Sequence, residues 1–155
     1  FSEGVFLGMV LGGTISLQAA DVTEHFIDFI EIAFVAVAAL TEEGDDGEIY
    51  EVTGPSTLTF TELAREISQA AGREVKFVQI TKEAFAQAIA ESGTPDDIAW
   101  LLNYLFETVL DGRNACVCDG VQRALGREPA DFADYARRIA ARGTWNVKNE
   151  EGVAA

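Results

Sequence analysis

The stretch IYEVTGPSTLTFTE, residues 49–62, holds the change from one structural period to another within a few positions. Residues 49–53 have the aromatic and β-branched content of a strand, and Gly54-Pro55 stops it. Thr59, three residues before Glu62, is a capping box that opens a helix. That helix is expected to run to Ala71 and to end at Gly72, a residue suited to a left-handed cap. Residues 75–80 read as the next strand. Strand, helix and strand in this order predict an α/β fold with short strands and packed helices.

Working outward, residues 2–11 read as a helix with Gly4, Gly8 and Gly12 at four-residue spacing. Such a stripe is expected to let another backbone approach closely. Residues 14–18 and 25–28 are strand candidates. The 29–40 run, FIEIAFVAVAAL, supports two readings: its alanines favour helix, while its Ile, Val and Phe content fits a sheet. As a helix it would take Asp28 as N-cap, with Glu31 completing a capping box. Glu31 is the only charged residue in the run, and a helix apolar nearly all round must be buried on most sides. The acidic segment 42–48 lacks the alternating ligands of a calcium loop and reads as a solvated turn. Downstream, helices are expected over 82–92, 96–110, 119–125 and 131–142. Residues 1–146 are expected to form one domain, and 147–155 a flexible tail.

Charge and composition exclude several functions. The 155 residues include 11 Lys+Arg and 26 Asp+Glu, a formal charge of −15, with 48% hydrophobic and 24% charged residues. This is a globular composition with a real core. It opposes binding to nucleic acid and to anionic membrane surfaces, both of which draw on clustered Lys and Arg. The first base is Arg65, so residues 1–64 carry twelve acids and no base, while residues 65–155 carry fourteen acids and eleven bases. No basic region precedes the apolar start, so a signal peptide is not expected, and the run from Val5 to Leu17 is too short to span a bilayer. Cys116 and Cys118 are too close for an ordinary disulfide and have no second pair to complete a metal site. A reduced, cytoplasmic protein without metal is the expectation.

The segment Tyr50-Glu51-Val52-Thr53-Gly54-Pro55, followed by Leu58-Thr59 and Glu62, resembles a motif of NmrA-like proteins. These are atypical relatives of the short-chain dehydrogenase/reductases and include NAD(P)H-dependent quinone and azo-dye reductases. Phe1-Ser2-Glu3-Gly4, Asp28 with Glu31-Ile32-Ala33, and Leu125-Gly126-Arg127 with Pro129 and Phe132 resemble further motifs of the same family. The likeness covers nearly all of residues 1–145 and implies a truncated Rossmann-like fold. The sequence has no G-x-G-x-x-G, which would let a backbone approach a pyrophosphate. It has no Tyr-x-x-x-Lys pair either: Tyr50, Tyr104 and Tyr135 are followed four residues on by Gly54, Thr108 and Ile139. The resemblance therefore implies the C-terminal, substrate-pocket half, with no cofactor for this chain alone and NAD(P)H only where an N-terminal half is supplied. His25 stands where relatives usually have proline, and Ile30 and Phe34 stand where they often have acids. These replacements, with strand edges that need cover, imply a homodimer or swapped oligomer through residues 29–40, from Phe29 to Leu40.

His25 lies among Asp21, Glu24, Asp28 and Glu31 and is the candidate acid/base group, with Asp28 or Asp21 orienting it. The alternative is a strand-start histidine with local hydrogen bonds. Phe26, Trp100, Tyr104 and Phe106 are candidate contacts for a small hydrophobic organic ligand, or else core residues at helical spacing. Arg113 beside the two cysteines is the only sign of a reactive thiol. Arg137, Arg138 and Arg142 balance Asp131 and Asp134, and no G-x-S-x-G marks a hydrolase. Three functions remain: a non-redox isomerase or cyclase using His25, which the sequence favours slightly; a piece or subunit of an NAD(P)H-dependent quinone- or azo-type oxidoreductase; and a non-catalytic binding or assembly module.

Overall fold

The capping box at Thr59 forms as the sequence predicts. In the computed structural model, which describes residues 1–19, 22–43, 47–113 and 115–147, the Thr59 hydroxyl accepts from the Glu62 amide at 3.1 Å. The Glu62 carboxylate accepts from the Thr59 amide at 2.9 Å. The helix they open, α3, runs Phe60–Ala71 and stops at Gly72, whose φ of 66° is left-handed. Phe60, Leu63, Ala64 and Ile67 lie on one stripe of α3, and all are buried. Asp21, the centre of the acidic turn at 44–46 and the tail at 148–155 lie outside the described residues.

The α/β character expected from the sequence is present. The first helix, α1 (Gly4–Leu11), leads into β1 (Thr14–Leu17), which pairs in parallel with β4 (Lys76–Gln79). β1 alternates so that Ile15 and Leu17 are fully buried, as a strand covered on one face requires. A second pair, β2 (Glu24–His25) and β3 (Thr57–Leu58), is antiparallel, with His25 opposite Thr57. Helix α7 (Phe132–Ala141) packs on α3 through Phe132, Ala136 and Ile139. Trp145 closes that end, and its indole N–H donates to the Phe1 carbonyl at 3.0 Å. Helices α4 (Lys82–Glu91) and α5 (Asp96–Tyr104) complete the core's far side with Phe85 and Ile89.

Four expectations are corrected. Residues 49–53 join no sheet among the described residues. A strand needs a neighbour, and here the backbone finds loop and side-chain donors instead: the Gly120 amide on Glu51 O at 3.2 Å and Arg123 on Ile49 O at 3.2 Å. The helix expected over 96–110 is not α-helical throughout, because Leu105–Val109 is a π-helical turn that sets Phe106 edge-on to Phe85 in the core. The glycine stripe of α1 faces open space: a Cβ on Gly4 or Gly8 would meet nothing within 4 Å. Close approach occurs elsewhere, at Gly54 and Gly120.

The fourth correction concerns the 29–40 run. It is a helix, α2 (Phe29–Thr41), and Asp28 caps it by accepting from the Ile30 amide at 3.2 Å. Glu31 forms no capping box, because its carboxylate is committed to Arg127, with contacts of 2.8 and 3.1 Å. Within the chain α2 is not buried on most sides. Its inward residues are Glu31, Val35 and Ala38, and it lies against α6 (Gly120–Leu125), apart from the main apolar cluster.

Candidate functional site

The only histidine of the sequence lines an open cleft of about 520 Å³, within the range of small-molecule sites. A second hollow, lined by Phe1, Phe26, Asp28, Phe132 and Tyr135, holds about 180 Å³, too little for more than a fragment. The short strand β2 places the buried Glu24 and the half-exposed His25 side by side. The Glu24 carboxylate accepts from the Gly112 amide at 3.2 Å and so ties down the loop that follows the π-helical turn. That tie brings Val109 and Leu110 to the cleft as its apolar wall.

Two glycines set the opposite wall. A Cβ on Gly54 would lie 3.1 Å from the Phe26 carbonyl carbon and far inside contact with its oxygen. One on Gly120 would lie 2.7 Å from the Glu51 carbonyl carbon. Glycine is what lets these backbones touch. Thr53, buried between them, accepts from the Cys118 amide at 3.0 Å and donates to the Gly54 carbonyl at 3.0 Å. Glu51, Val52 and Thr53 therefore line the cleft in direct contact with Cys118, with Cys116 beside them.

The electrostatics separate the usable groups from the occupied ones. Arg113 chelates Asp111 through three contacts of 2.6–3.0 Å, which pull the Asp111 carboxyl below its ordinary range and raise the guanidinium further. It is thereby spoken for. Burial pushes the Cys118 thiol up, helped by Cys116 and Glu51, so it is held as a thiol and not as a nucleophilic thiolate. His25 is half-exposed and lines the cleft beside Glu24 and Glu51.

Sequence reasoning grouped these residues differently. Asp28, expected to orient His25, caps α2 and pairs with Arg138 instead. Asp21 lies outside the described residues. Phe26 lines the smaller hollow and packs against Phe60 and Phe132. Phe106 is buried in the core. Trp100 and Tyr104 stack on each other at 5.4 Å on the exposed side of α5. Glu51, Thr53, Val109 and Leu110, which line the cleft together with His25, come from distant segments. Their one local signal is the Gly54-Pro55 turn.

No family model matches the chain. It is 40% identical over 116 residues to an NAD(P)H azoreductase of Xenophilus azovorans, taking in 75% of this chain and 41% of that protein. An uncharacterized oxidoreductase of Bacillus subtilis is 33% identical over 129 residues, 83% of this chain and 45% of its own length. The crystal structure of an NADPH-dependent quinone oxidoreductase from Escherichia coli, complexed with NADPH, shares the fold with a TM-score of 0.77. The identity there is 22%, covering 90% of this chain and 50% of that one. The chain spans about half the length of the curated relatives it matches.

Among the described residues no glycine-rich strand–turn–helix offers a dinucleotide seat. A pyrophosphate seat needs a strand–turn–helix whose glycines expose free amides. The one such connection after a parallel strand, from β4 to α4, has no glycine, and Thr81 already caps it by accepting from the Ala84 amide at 3.2 Å. Thr59 closes α3, and the carboxylates of Asp28 and Asp131 close α2 and α7, where they would repel a phosphate. Arg113, Arg123, Arg127 and Arg138 are all held in ion pairs.

Proposed function

The chain is a relative of the NmrA-like NAD(P)H quinone and azo reductases and carries about half of their length, and from that premise we propose that it forms the acceptor-binding half of such an oxidoreductase. The observation that carries this reading is the 40% identity to the azoreductase, spread over three quarters of the chain. The cleft supports it in chemical terms. Val52, Val109 and Leu110 suit a small, neutral, apolar organic molecule, while the acidity around it opposes an anion. His25, which lines the cleft with Glu51, is the acid/base side chain placed to serve an acceptor's oxygen or nitrogen as that atom gains charge. The nucleotide would have to be bound by polypeptide beyond these residues. The relatives favour this function over a non-redox isomerase or cyclase, for which they offer no support.

The test is a pair of titrations on the whole chain, followed by tryptophan fluorescence. One uses a naphthoquinone and an azo dye, and the other NADPH. Quinone and dye are expected to bind saturably and to be weakened by Leu110→Glu, which puts a charge on the apolar wall. NADPH is expected neither to bind nor to be oxidised. Saturable NADPH binding to the isolated chain would sink the proposal, and so would dye binding indifferent to Leu110→Glu.

A further inference from the structure

Both cysteines of the chain line the His25 cleft, and the fold treats them unequally. Cys118 is tied down: Thr53 accepts from its amide at 3.0 Å, and its thiol donates towards the Glu51 carboxylate, 3.8 Å away. Burial and the neighbouring Cys116 and Glu51 hold that sulfur in the protonated form. Cys116, two residues earlier, is exposed, and its thiol reaches the adjoining Val117 carbonyl at 3.7 Å. Val52, Val109 and Leu110 border the same space. One cleft of about 520 Å³ thus gathers an accessible thiol, an acid/base imidazole and an apolar wall within the reach of a single two-ring molecule.

We propose that Cys116 is a covalent capture site for quinones that enter this cleft, with His25 as proton donor to the quinone oxygen. The proposal rests on the acceptor-binding reading and adds what happens to an acceptor whose ring carbon is electrophilic. The Cys116 sulfur forms a bond to a ring carbon conjugated with a carbonyl. The ring C=C bond opens, and its electron pair passes to the carbonyl oxygen, which takes a proton from His25. The thiol proton replaces the one His25 gave. The attacked carbon then loses its hydrogen as a proton, which ends on the second oxygen as the ring becomes aromatic. One thiol and one quinone give one thioether hydroquinone, so no outside oxidant or reductant is needed. Cys116 is the nucleophile because its sulfur is exposed, whereas Cys118 is fixed by Thr53 and kept a thiol. A quinone fits because its flat, neutral ring suits Val109 and Leu110 and is not repelled by Glu24 and Glu51. A fully substituted quinone offers no open ring carbon and is bound without being captured. Capture fills the cleft and so closes it to further acceptor.

Intact-mass spectrometry of the full chain, reduced and then freed of added thiol, tests this with naphthoquinone. The expected product is the chain plus one quinone, or two hydrogens less where excess quinone re-oxidises the adduct, with peptide mapping placing it on Cys116. The rate should saturate with quinone concentration, because binding precedes addition. In urea it should become linear and fall on both cysteines alike. His25→Gln should slow the saturated rate at least tenfold while moving the half-saturating concentration little. Duroquinone, which carries a methyl group on every ring carbon open to attack, should bind without a gain in mass. Tryptophan quenching on Cys116→Ser separates this proposal from the acceptor-binding reading. Reversible naphthoquinone binding to that variant, with no adduct on the parent, overturns capture and leaves the other reading standing, whereas binding to neither protein overturns both. Three further results overturn capture: label shared equally by the two thiols of the folded chain, a rate linear in quinone, or a His25→Gln protein that reacts like the parent.

Discussion

Replacing Arg127 with alanine tests why α2 presents its apolar side outward. The Glu31 side chain is 7% exposed, and its two oxygens meet the Arg127 guanidinium at 2.8 and 3.1 Å. Its one other partner among the described residues is the Ala130 amide, at 3.4 Å. Truncating Arg127 leaves a carboxylate among apolar neighbours with one long hydrogen bond. Stranding one member of a buried pair costs about 3–5 kcal/mol. Arg127 is itself 45% exposed, so water can enter the space it vacates. The expected loss is therefore about 2–3 kcal/mol. For a chain of this length that lowers Tm by about 5–10 °C. Thermal and urea melts measure it, performed at matched protein concentration so that any association contributes equally. Adding Glu31→Met to Arg127→Ala removes the stranded charge and should recover stability to within about 1 kcal/mol of the parent. An Arg127→Ala protein that melts with the parent, or a double variant no better than the single one, would refute the claim that this ion pair sets the rotation of α2.

Gly120→Ala should cost about 2–4 kcal/mol in urea denaturation, because its Cβ would press into the Glu51 backbone, which cannot swing aside as a side chain could. A variant as stable as the parent would mean that the wall of the cleft is softer than its geometry indicates. Hydrogen bonds from the Thr59 amide and hydroxyl hold the Glu62 carboxyl below its ordinary range. This contribution is therefore present above the usual glutamate range and lost as pH falls through the lowered folded value. Glu62→Gln should flatten the acid side of the stability–pH curve, and an unchanged slope would count against the capping box as its source. Alkylation followed by peptide mass mapping should find Cys116 modified before Cys118, since Cys116 is exposed while burial keeps Cys118 a thiol. Trp100→Ala should change stability by no more than about 0.5 kcal/mol and leave dye binding intact, because that ring stands on the outside of α5. Loss of dye binding would move the site from the His25 cleft to α5.

What was legible in the sequence follows the range of the signal. Helix α3 was readable from end to end because every cue is local: a capping threonine, a glutamate three residues on, an apolar stripe and a left-handed glycine. Residues 49–53 carry a strand's composition, but a strand exists only beside another, and nothing in the segment names its neighbour. The α1 glycines show the same gap, since spacing tells which residues share a face but not what stands opposite. At the site, nearness in sequence pointed to Asp28 as the partner of His25. That carboxylate has two stronger claims on it, the α2 amide and Arg138, which comes from far along the chain. The groups that surround His25 are brought there by Gly54, Gly120 and the Glu24–Gly112 hydrogen bond, contacts that a one-dimensional pattern cannot carry.

Helix α2 makes the same point about energetics. Its composition predicts burial because apolar area is usually the largest demand a helix makes on its surroundings. In this chain two carboxylates make demands that area cannot meet. Asp28 and Glu31 sit on adjoining turns, in the half of the chain that has no base of its own, so each must find a cation beyond Arg65. They find Arg138 on α7 and Arg127 beyond α6. Apolar contact is nearly indifferent to rotation when a helix is apolar all round, whereas an ion pair with one partner is not. Two such pairs fix α2 at a single rotation, and that rotation turns Ala33, Ala36, Val37 and Leu40 outward. The acidity of the first 64 residues thus does more than exclude polyanionic partners. It decides which face of this apolar helix is turned away from the rest of the chain.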